Sequence, residues 1–180
     1  MAHPIDSFRF CPRCGASGFS PASERSLLCP RCGFHYFVNA AAAVAALVFN
    51  REGRLLVTRR RLPPGAGMLD LPGGFVDPGE NAEEALRREL LEELGMEVNR
   101  MVYLTSHPNE YPFSGITVFT ADLAFRAYPV SLDKLTPADD ISAYEWIDPA
   151  TVNPEEIPAP SIRHFILTVA PDEYSRNGQN

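Results

Sequence analysis

The sequence has few cysteines, few basic residues and no long apolar run, and each shortage excludes a class of protein. The longest apolar run, Ala40 to Phe49, has ten residues. As a helix it would span about 15 Å, roughly half a bilayer, so no transmembrane segment is expected. Met1 to Phe10 lacks the apolar stretch of a secretory signal, which predicts a cytoplasmic location.

The charge balance limits the possible partners. There are 16 basic residues and 23 acidic residues, which give a net charge of −7. A protein that grips nucleic acid mainly through its phosphates needs a basic face, so no extensive nucleic-acid contact is expected. A small anionic substrate is compatible with this charge, because a bound divalent metal can reverse the local potential.

The four cysteines form two copies of one motif. Cys11-Pro-Arg-Cys14-Gly recurs as Cys29-Pro-Arg-Cys32-Gly, with fourteen residues between the second and third cysteines. A single C-x2-C motif would also fit a redox pair or a disulfide, but two identical copies favour a tetrahedral zinc site. Because the protein supplies all four ligands, the zinc would be structural. We predict a small zinc ribbon over 1–37 that needs its metal to fold.

The rest of the chain alternates between strand-like and helix-like patterns. Its 180 residues, 45% of them hydrophobic, suffice for a sizeable core with a small appendage. A predicted hairpin precedes a Pro/Gly-rich loop over 62–79, a length typical of functional loops. The predicted strands are 40–49, 54–58, 98–104, 116–125 and 144–147, and the predicted helices are 81–94 and 161–169. For the alanine-rich segment 40–49 a helix is the alternative, because alanine is a poor strand former. This order predicts an α/β fold over 38–170, a mixed sheet with helices on both faces, and a loose polar tail over 171–180.

The predicted helix over 81–94 carries a cluster of acids. Asn81 and Glu84 form an N-x-x-E start that resembles a capping box, and Gly95 ends the helix. On a helical wheel, one side holds Leu86, Leu90, Leu91 and Leu94, and the other holds Glu89, Glu92 and Glu93. One interpretation is a solvated acidic face. The other is a site for Mg²⁺ or Mn²⁺, because these cations prefer oxygen ligands and activate water beside phosphates.

The acidic helix and the glycines before it match the Nudix box, G-x5-E-x7-R-E-U-x-E-E-x-G-U, in which U is a bulky apolar residue. The matching residues are Gly74, Glu80, Arg88, Glu89, Leu90, Glu92, Glu93, Gly95 and Met96. Nine specified positions at fixed spacing are a specific signal. The sequence over about 38–150 therefore resembles Nudix hydrolases.

The Nudix resemblance implies a fold, a metal site and a reaction. The fold is an α/β/α sandwich, and the reaction is attack of water on a pyrophosphate, giving two phosphate-containing products. Arg88 and Glu80 would orient the glutamates, and Glu92 or Glu93 would be the general base. The implied ligands of Mg²⁺ or Mn²⁺ are Glu89, Glu92, Glu93 and the carbonyl of Gly74.

A zinc ribbon before a Nudix domain narrows the resemblance to NADH pyrophosphatases and related ADP-ribose and FAD pyrophosphatases. The NADH group carries S-Q-P-W-P-F-P-x-S after the box, and Ser106 to Ser114 reads S-H-P-N-E-Y-P-F-S. His107, Asn109 and Glu110 depart from that pattern. The resemblance thus implies hydrolysis of NADH, ADP-ribose, FAD or a similar nucleotide, without choosing among them.

Several residues outside the box are candidates for substrate contact. Arg59 and Arg60 could bind a substrate phosphate, or they could belong to a solvated basic turn. Glu110, Tyr111 and Phe113 lie in the predicted loop after the box, where the two rings could stack on a base or anchor the loop. The family often uses one further carboxylate, and three candidates stay open. They are Asp139, Asp140 and Glu110.

Two other functions stay open at this stage. The chain could bind a nucleotide, RNA or a protein without turnover, although a pure sensor has no need for all three glutamates. It could also remove a nucleotide cap from RNA. A local basic patch for that purpose would consist of Arg9, Arg13, Arg25 and Arg31. Proteins of the resembling groups are often dimers, so a homodimer is expected.

Overall fold

The structure, a computed structural model, describes residues 3–177 and separates into two compact units. The first unit comprises 1–41 and 110–119, and the second comprises 42–109 and 120–180. The division into 1–37, 38–170 and 171–180 stays a prediction. Within the described part of the chain, no helix has the length and apolar character needed to cross a membrane.

The first unit is built around a small antiparallel sheet. Its elements are α1 (Pro4–Ser7), β1 (Ser20–Ser23), β2 (Ser26–Leu28) and β3 (His35–Phe37), with the strands in the order β1-β2-β3. Its core is a handful of buried side chains, namely Ile5, Cys11, Phe19, Leu27 and Cys29. So few apolar groups cannot stabilise a domain without a further cross-link or a metal.

The remaining elements supply two three-stranded sheets and the longer helices. They are β4 (Ala41–Leu47), β5 (Leu55–Arg60), β6 (Leu69–Asp70), α2 (Ala82–Leu94), β7 (Val98–Phe113), β8 (Ile116–Pro129), β9 (Ile141–Ile147), α3 (Pro160–His164) and α4 (Ala170–Asn177). The strand orders are β4-β8-β7 and β6-β5-β9. The predicted hairpin arms β4 and β5 therefore lie in different sheets, and they meet at a bridge between Phe49 and Leu55.

Alternating side chains of β4 and β5 point into two separate cores, because successive residues of a strand face opposite sides of its sheet. One core holds Val44, Ala46, Val48 and Leu56 with the buried leucines of α2. The other holds Ala45, Leu47, Leu55 and Val57 with Phe165 and Ile166 of the C-terminal helical run. Helices therefore cover both faces, which confirms the predicted α/β/α sandwich.

The segment from Ser106 to Ser114 differs from its prediction as a loop, because β7 continues to Phe113. Two prolines are tolerated there since β7 is an edge strand, where a missing N–H costs no pairing. Ser114 and Gly115 connect β7 to β8, and both have positive φ angles, as two-residue hairpin turns require.

The C-terminal segment also differs from its prediction. One helical run covers residues 160–177, with a π-helical turn at Phe165–Val169 between α3 and α4. The predicted loose tail over 171–180 is thus helical up to 177, and Glu173 within it is buried. Residues 178–180 lie outside the described residues.

Candidate active site

Helix α2 begins and ends as its sequence predicts. The Asn81 side chain accepts a hydrogen bond from the Glu84 N–H at 2.9 Å, and the Glu84 carboxylate accepts one from the Asn81 N–H at 2.9 Å. Gly95 ends the helix in the left-handed conformation, and its N–H bonds to the Leu91 carbonyl at 2.9 Å. Backbone groups at both ends of the helix thus have hydrogen-bond partners close in sequence. The residues at which α2 begins and ends are therefore well defined, and so is the side of the helix on which each glutamate lies.

The burial of two side chains of α2 differs from the pattern that the helical wheel predicts. Leu86, Leu90 and Leu94 are fully buried, but Leu91 is 54% exposed, whereas Glu93 is only 3% exposed. The buried face of the helix therefore includes one glutamate of the cluster. The reason is the glycine loop that precedes the helix, which covers Glu93.

Arg88 binds two of the glutamates and the loop at once. Its guanidinium makes two bonds to the Glu80 carboxylate, at 2.8 and 2.9 Å, and one each to Glu89 at 2.8 Å and Glu92 at 3.1 Å. It also donates to the Phe75 carbonyl at 3.0 Å. The hydrogen bonds from Arg88 lower the pKa of Glu80. These contacts are consistent with an orienting role for Arg88 and Glu80, which stays a prediction.

The buried carboxyl of Glu93 has one hydrogen-bond donor and a second carboxyl, that of Asp140, in its surroundings. The Gly73 N–H donates to it at 3.0 Å. Burial nevertheless raises the pKa of Glu93 to about 10, and the nearby Asp140 carboxyl acts in the same direction. Burial also raises the pKa of Glu89, against the opposing effect of Arg88. Glu89 has Arg88 as an ion-pair partner at 2.8 Å, whereas no described cation pairs with Glu93.

Asp140, one of the three candidate late acids, has its carboxyl near that of Glu93. The loop after β8 lies along the end of α2, because the Ala138 N–H donates to the Glu93 carbonyl at 2.8 Å. The Asp140 carbonyl accepts from the Arg61 N–H at 2.7 Å, which holds the loop to the end of β5. Asp139 and Asp140 are both exposed, and Glu110 belongs to the first unit. The choice among the three stays a prediction.

Two consecutive glycines bring the backbone onto the glutamates. A Cβ on Gly73 would lie 2.1 Å from the Val44 carbonyl oxygen, and its φ of +142° also disfavours other residues. A Cβ on Gly74 would lie 2.4 Å from a carboxylate oxygen of Glu89. The box motif identifies Gly74 alone. The Gly-Gly doublet is the signal that could have identified Gly73, whose N–H binds Glu93.

The donor chemistry of this cluster fits a divalent cation such as Mg²⁺ or Mn²⁺. Three carboxylates and a nearby fourth offer hard oxygen ligands, and one of them, Glu93, is buried beside Asp140 without an ion pair to a described cation. Their oxygens are not gathered at one point, since Arg88 holds Glu89 and Glu92 while the Gly73 N–H holds Glu93. Ion binding would therefore involve a change of side-chain rotamer.

The two candidate substrate arginines make ion pairs within the chain. Arg59 pairs with Glu145 and with Glu156, the latter at 3.3 Å, and donates to the Gly67 carbonyl at 2.8 Å. Arg60 pairs with Asp70 at 2.6 Å. These contacts hold the loop after β5. Contact of either arginine with a substrate phosphate stays a prediction.

The other candidate substrate residues lie near the end of β7, in the first unit. The rings of Tyr111 and Phe113 stack with centroids 6.1 Å apart and planes at 19°. Phe113 is 55% exposed, so one aromatic face is available to a ligand. Substrate contact by Glu110, Tyr111 and Phe113 stays a prediction.

The four cysteines form the second candidate metal site. The Sγ atoms of Cys11 and Cys32 lie 3.7 Å apart, as do those of Cys14 and Cys29. Zn–S bonds of about 2.3 Å place tetrahedral sulfurs about 3.8 Å apart, whereas a disulfide needs about 2.05 Å. In the part of the chain that the structure describes, no other group of three or more potential ligands has all its donor atoms within 4.8 Å of one another. The cluster fits a zinc ribbon.

Backbone hydrogen bonds prepare the sulfurs for metal binding. In each motif the glycine N–H donates to the carbonyl of the first cysteine, at 2.8 Å from Gly15 and 3.0 Å from Gly33. Hydrogen bonding from the backbone, chiefly at Cys32, lowers the pKa of the Cys29 thiol to about 6. Against the effect of a backbone hydrogen bond at Phe34, burial and hydrogen bonds with the other thiols raise the pKa of Cys32 to about 11, so the two thiols differ in the absence of metal. A thiolate is the form that binds metal.

Comparison with known proteins agrees with this geometry. Residues 39–167 match the NUDIX domain, which is more than half of the chain. The chain belongs to the Nudix family. The Nudix box, residues 74–96, lies within the matched region, and the two cysteine motifs precede it.

Curated relatives of this Nudix chain include bacterial NAD-capped RNA hydrolases called NudC. The protein of Pseudomonas aeruginosa strain LESB58 is 30% identical over 158 residues, covering 88% of this chain and 54% of the relative. That of Klebsiella pneumoniae subsp. pneumoniae is 34% identical over 141 residues, covering 77% of this chain and 53% of the relative. The chain spans about half the length of the curated relatives it matches.

Solved structures show the same Nudix fold. A Nudix hydrolase from Nitrosomonas europaea has a TM-score of 0.70 and 21% identity, and the match covers 93% of each chain. The MutT protein from Methanosarcina mazei Go1 has a TM-score of 0.57 and 23% identity, covering 78% of this chain and 96% of that one. At these identities the likeness concerns the fold alone.

Proposed function

We propose that this Nudix chain hydrolyses the pyrophosphate bond of a nucleoside diphosphate linked to another group, such as NADH, ADP-ribose or FAD. The observation that carries the proposal is the surroundings of Glu93. A carboxyl that is 3% exposed faces the Asp140 carboxyl at the end of the Nudix helix, next to an exposed Glu92. Such a cluster is unfavourable in a purely structural role and suits a cation that binds phosphate oxygens.

The proposed ligands of that cation come from both parts of the box. They are the carboxylates of Glu89, Glu92 and Glu93 and the carbonyl oxygen of Gly74. The Gly74 carbonyl accepts one hydrogen bond from the Val44 N–H at 2.8 Å, and a carbonyl oxygen has a second lone pair for an ion. When bound, Mg²⁺ or Mn²⁺ would supply charge neutralisation and a water of lowered pKa.

The chain's own residues would orient and deprotonate the attacking water. Arg88 keeps Glu89 and Glu92 in place through a planar guanidinium that also grips Glu80. Glu92 or Glu93 would accept the proton of the water as it attacks phosphorus, and the bond from phosphorus to the bridging oxygen would break. We further propose that Asp140 is the late carboxylate of the site.

A second candidate function is removal of an NAD cap from RNA. The observation that favours it is the 30–34% identity to NAD-capped RNA hydrolases from Pseudomonas and Klebsiella. The reacting bond is the same pyrophosphate, so the same carboxylates would serve. The departures at His107, Asn109 and Glu110 from the NADH-group motif are the residues most expected to alter the preferred substrate.

We also propose a structural Zn²⁺ at the four cysteines, a homodimer as the functional state and a location in the cytoplasm. The sulfur spacing of 3.7 Å supports the zinc. Thiolate ligands stay reduced in the cytoplasm, which is consistent with that location.

A hydrolysis panel would test the proposed function. The protein is incubated with Mg²⁺ and with Mn²⁺ and each of several nucleotides, and products are identified by chromatography and mass. The nucleotides are NADH, NAD, ADP-ribose, FAD, diadenosine polyphosphates, nucleotide sugars, nucleoside triphosphates and NAD-capped RNA. Cleavage of one class far above the rest, and its loss in Glu92→Gln, would support the proposal. No cleavage by folded, zinc-loaded protein would contradict it and favour a binding module without turnover.

A further inference from the structure

Four polar side chains of the second unit are buried where β7 and β8 contact α3, and the proposed hydrolysis assigns them no role. They are Asn109, Thr120, Asp122 and Ser161, and each is at most 8% exposed. The Ser161 hydroxyl donates a hydrogen bond to one carboxylate oxygen of Asp122. Among the described residues, the other oxygen of Asp122 has no hydrogen-bond partner, and neither do the side-chain oxygens of Asn109 and Thr120.

Strand β7 directs Asn109 toward α3. His107, two residues earlier in the strand, stacks on His164 of α3 with ring centroids 4.5 Å apart. Residues two apart in a strand point to the same face of the sheet, and the exposed Pro108 between these two fits that alternation. Asn109 therefore lies on the side of the sheet that α3 covers.

Strand β8 directs Thr120 and Asp122 to the same side. Asp122 bonds to Ser161 of α3, and Thr120 lies two residues earlier in the strand. Counting outward from the two-residue turn between β7 and β8 places Asn109 opposite Thr120, and the Cβ atoms of such cross-strand pairs are about 4.5–5.5 Å apart. The three unpartnered oxygens therefore belong to adjoining side chains on one face.

The buried carboxylate of Asp122 has no cationic partner within the described part of the chain, because none of the ion pairs there includes it. Arg126, four residues further along β8, stacks its guanidinium over the Phe49 ring at 3.9 Å instead. Buried charges in proteins are paired or coordinate a metal ion. A monovalent cation would balance the single charge of Asp122, whereas a divalent cation would leave a buried excess of positive charge.

We propose that these four side chains bind a monovalent cation, K⁺ or Na⁺. Its ligands are the unpartnered carboxylate oxygen of Asp122, the amide oxygen of Asn109 and the hydroxyl oxygens of Thr120 and Ser161, since oxygen donors suit hard cations. With a single acid and no cysteine or histidine among its donors, this site differs from the two candidate metal sites described above. The bound ion joins both strands of the hairpin to α3 and so stabilises the second unit. The inference goes beyond the proposed hydrolysis, because it concerns another cation and no residue of the Nudix box.

Thermal unfolding of the full zinc-loaded chain in different chloride salts tests this site. The salts are KCl, NaCl and N-methyl-D-glucamine chloride at equal ionic strength, without Mg²⁺ or Mn²⁺. Fluorescence of Trp146, the single tryptophan, reports on the second unit. A cation at about ten times its Kd favours the folded state about elevenfold, which raises Tm by about 3–6 °C for a chain of this size. The rise over the organic salt should saturate with concentration, and comparison of KCl with NaCl identifies the preferred ion.

Variants separate cation binding from ordinary packing. Asp122→Asn and Thr120→Val should each lose most of the rise in Tm, because the first removes the charge and the second removes a hydroxyl ligand. In the organic salt, Thr120→Val should be at least as stable as the unmodified chain, since an unpartnered buried hydroxyl costs free energy. Thr105→Val is the matched control and should keep the rise, because Thr105 lies in the same hairpin and its hydroxyl already bonds to the Ser106 carbonyl at 3.5 Å.

The proposal is overturned if Tm in KCl and in NaCl equals Tm in the organic salt, which would mean that these oxygens bind water alone. It is also overturned if the rise persists in Thr120→Val and in folded Asp122→Asn. Should Asp122→Asn fail to fold, Thr120→Val alone decides. Glu92→Gln should keep the rise, and its loss there would assign the cation to the Nudix box instead.

Discussion

At the scale of single residues, Arg88 has the most contacts of the site. Its guanidinium reaches three carboxylates and one backbone carbonyl, which a single ammonium group could not do in the same geometry. The carboxylates that it holds are the proposed metal ligands, so its role is that of a positioning residue.

Replacement Arg88→Lys should therefore lower the apparent affinity for Mg²⁺ by about 10- to 100-fold, as loss of a residue that orients metal ligands commonly does. The measurement is activity titrated with Mg²⁺. Arg87→Lys is the control, because Arg87 bonds to the Val98 carbonyl instead of the glutamates. An unchanged Mg²⁺ titration in Arg88→Lys would count against the positioning role.

Glu92→Gln and Glu93→Gln should each lower kcat by about 10²-fold or more, because each removes a proposed metal ligand and a candidate base. Glu97→Gln, an exposed glutamate just beyond the helix, serves as the control. Steady-state kinetics at saturating Mg²⁺ measure the effect. Activity within about threefold of the unmodified protein in both variants would refute the assignment.

The box residues could be predicted from the sequence, but the burial of each could not. The motif identifies three glutamates at i, i+3 and i+4 and says nothing of which one the glycine loop covers. The structure buries Glu93 and leaves Glu92 exposed. Likewise, Arg59 and Arg60 were candidates for a substrate phosphate, and their partners Glu145 and Asp70 lie 86 and 10 residues away, beyond any local pattern.

At the scale of elements, the start of α2 depends on Asn81. Asn81→Ala should destabilise the protein by about 1 kcal/mol through loss of the cap, lowering Tm by about 2–4 °C for a chain of this size. Asn81→Asp keeps the acceptor and should retain the original Tm. Thermal unfolding followed by circular dichroism compares the two. Equal melting temperatures for the alanine and aspartate variants would contradict the capping argument.

Substitution of the two glycines before α2, Gly73 and Gly74, should have different effects on stability and activity. Gly73→Ala should destabilise the fold by about 1–3 kcal/mol, because its Cβ would meet the Val44 backbone. Gly74→Ala should change stability less and activity more, because its Cβ would meet the movable Glu89 carboxylate. Denaturant unfolding and kinetics on both variants measure this contrast. The opposite ranking would show that the loop positions the glutamates differently.

Local signals determined which elements could be predicted. The helix α2 was predicted to within one residue, since Asn81, Glu84 and Gly95 mark both ends. The C-terminal end of β7 could not be predicted, because Pro108 and Pro112 favour a loop in a local sequence pattern. They fit a strand only because β7 lies at the edge of its sheet. The assignment of β4 and β5 to different sheets could not be predicted either, because each pairs with strands that are distant in sequence, β8 and β9.

At the scale of the whole molecule, the first unit is predicted to need a metal at its four cysteines in order to fold. Cys29→Ser should lose zinc and unfold this unit, because its core has only five buried apolar side chains. Zinc content by atomic emission and limited proteolysis measure both effects. His35→Ala should keep one zinc per chain if the four sulfurs complete the site. Full zinc content in Cys29→Ser would refute the four-cysteine site.

The division of the chain into units could be predicted only in part. The repeated cysteine motif predicts a separate N-terminal segment over 1–37, and this division stays a prediction. In the structure 1–41 belong to the first unit. Residues 110–119 group with it in the structure. No local feature of the sequence predicts this grouping, because it follows from the length of the β7–β8 hairpin.

The shared strands of the second unit have a consequence for how it unfolds. Each of β4 and β5 supplies side chains to both cores, so neither helical layer can detach without exposing a strand that the other layer still needs. The two layers should therefore unfold together in a single cooperative transition. The backbone amides of β4 and β5 should then exchange with solvent more slowly than all others of the unit, at the rate of global opening.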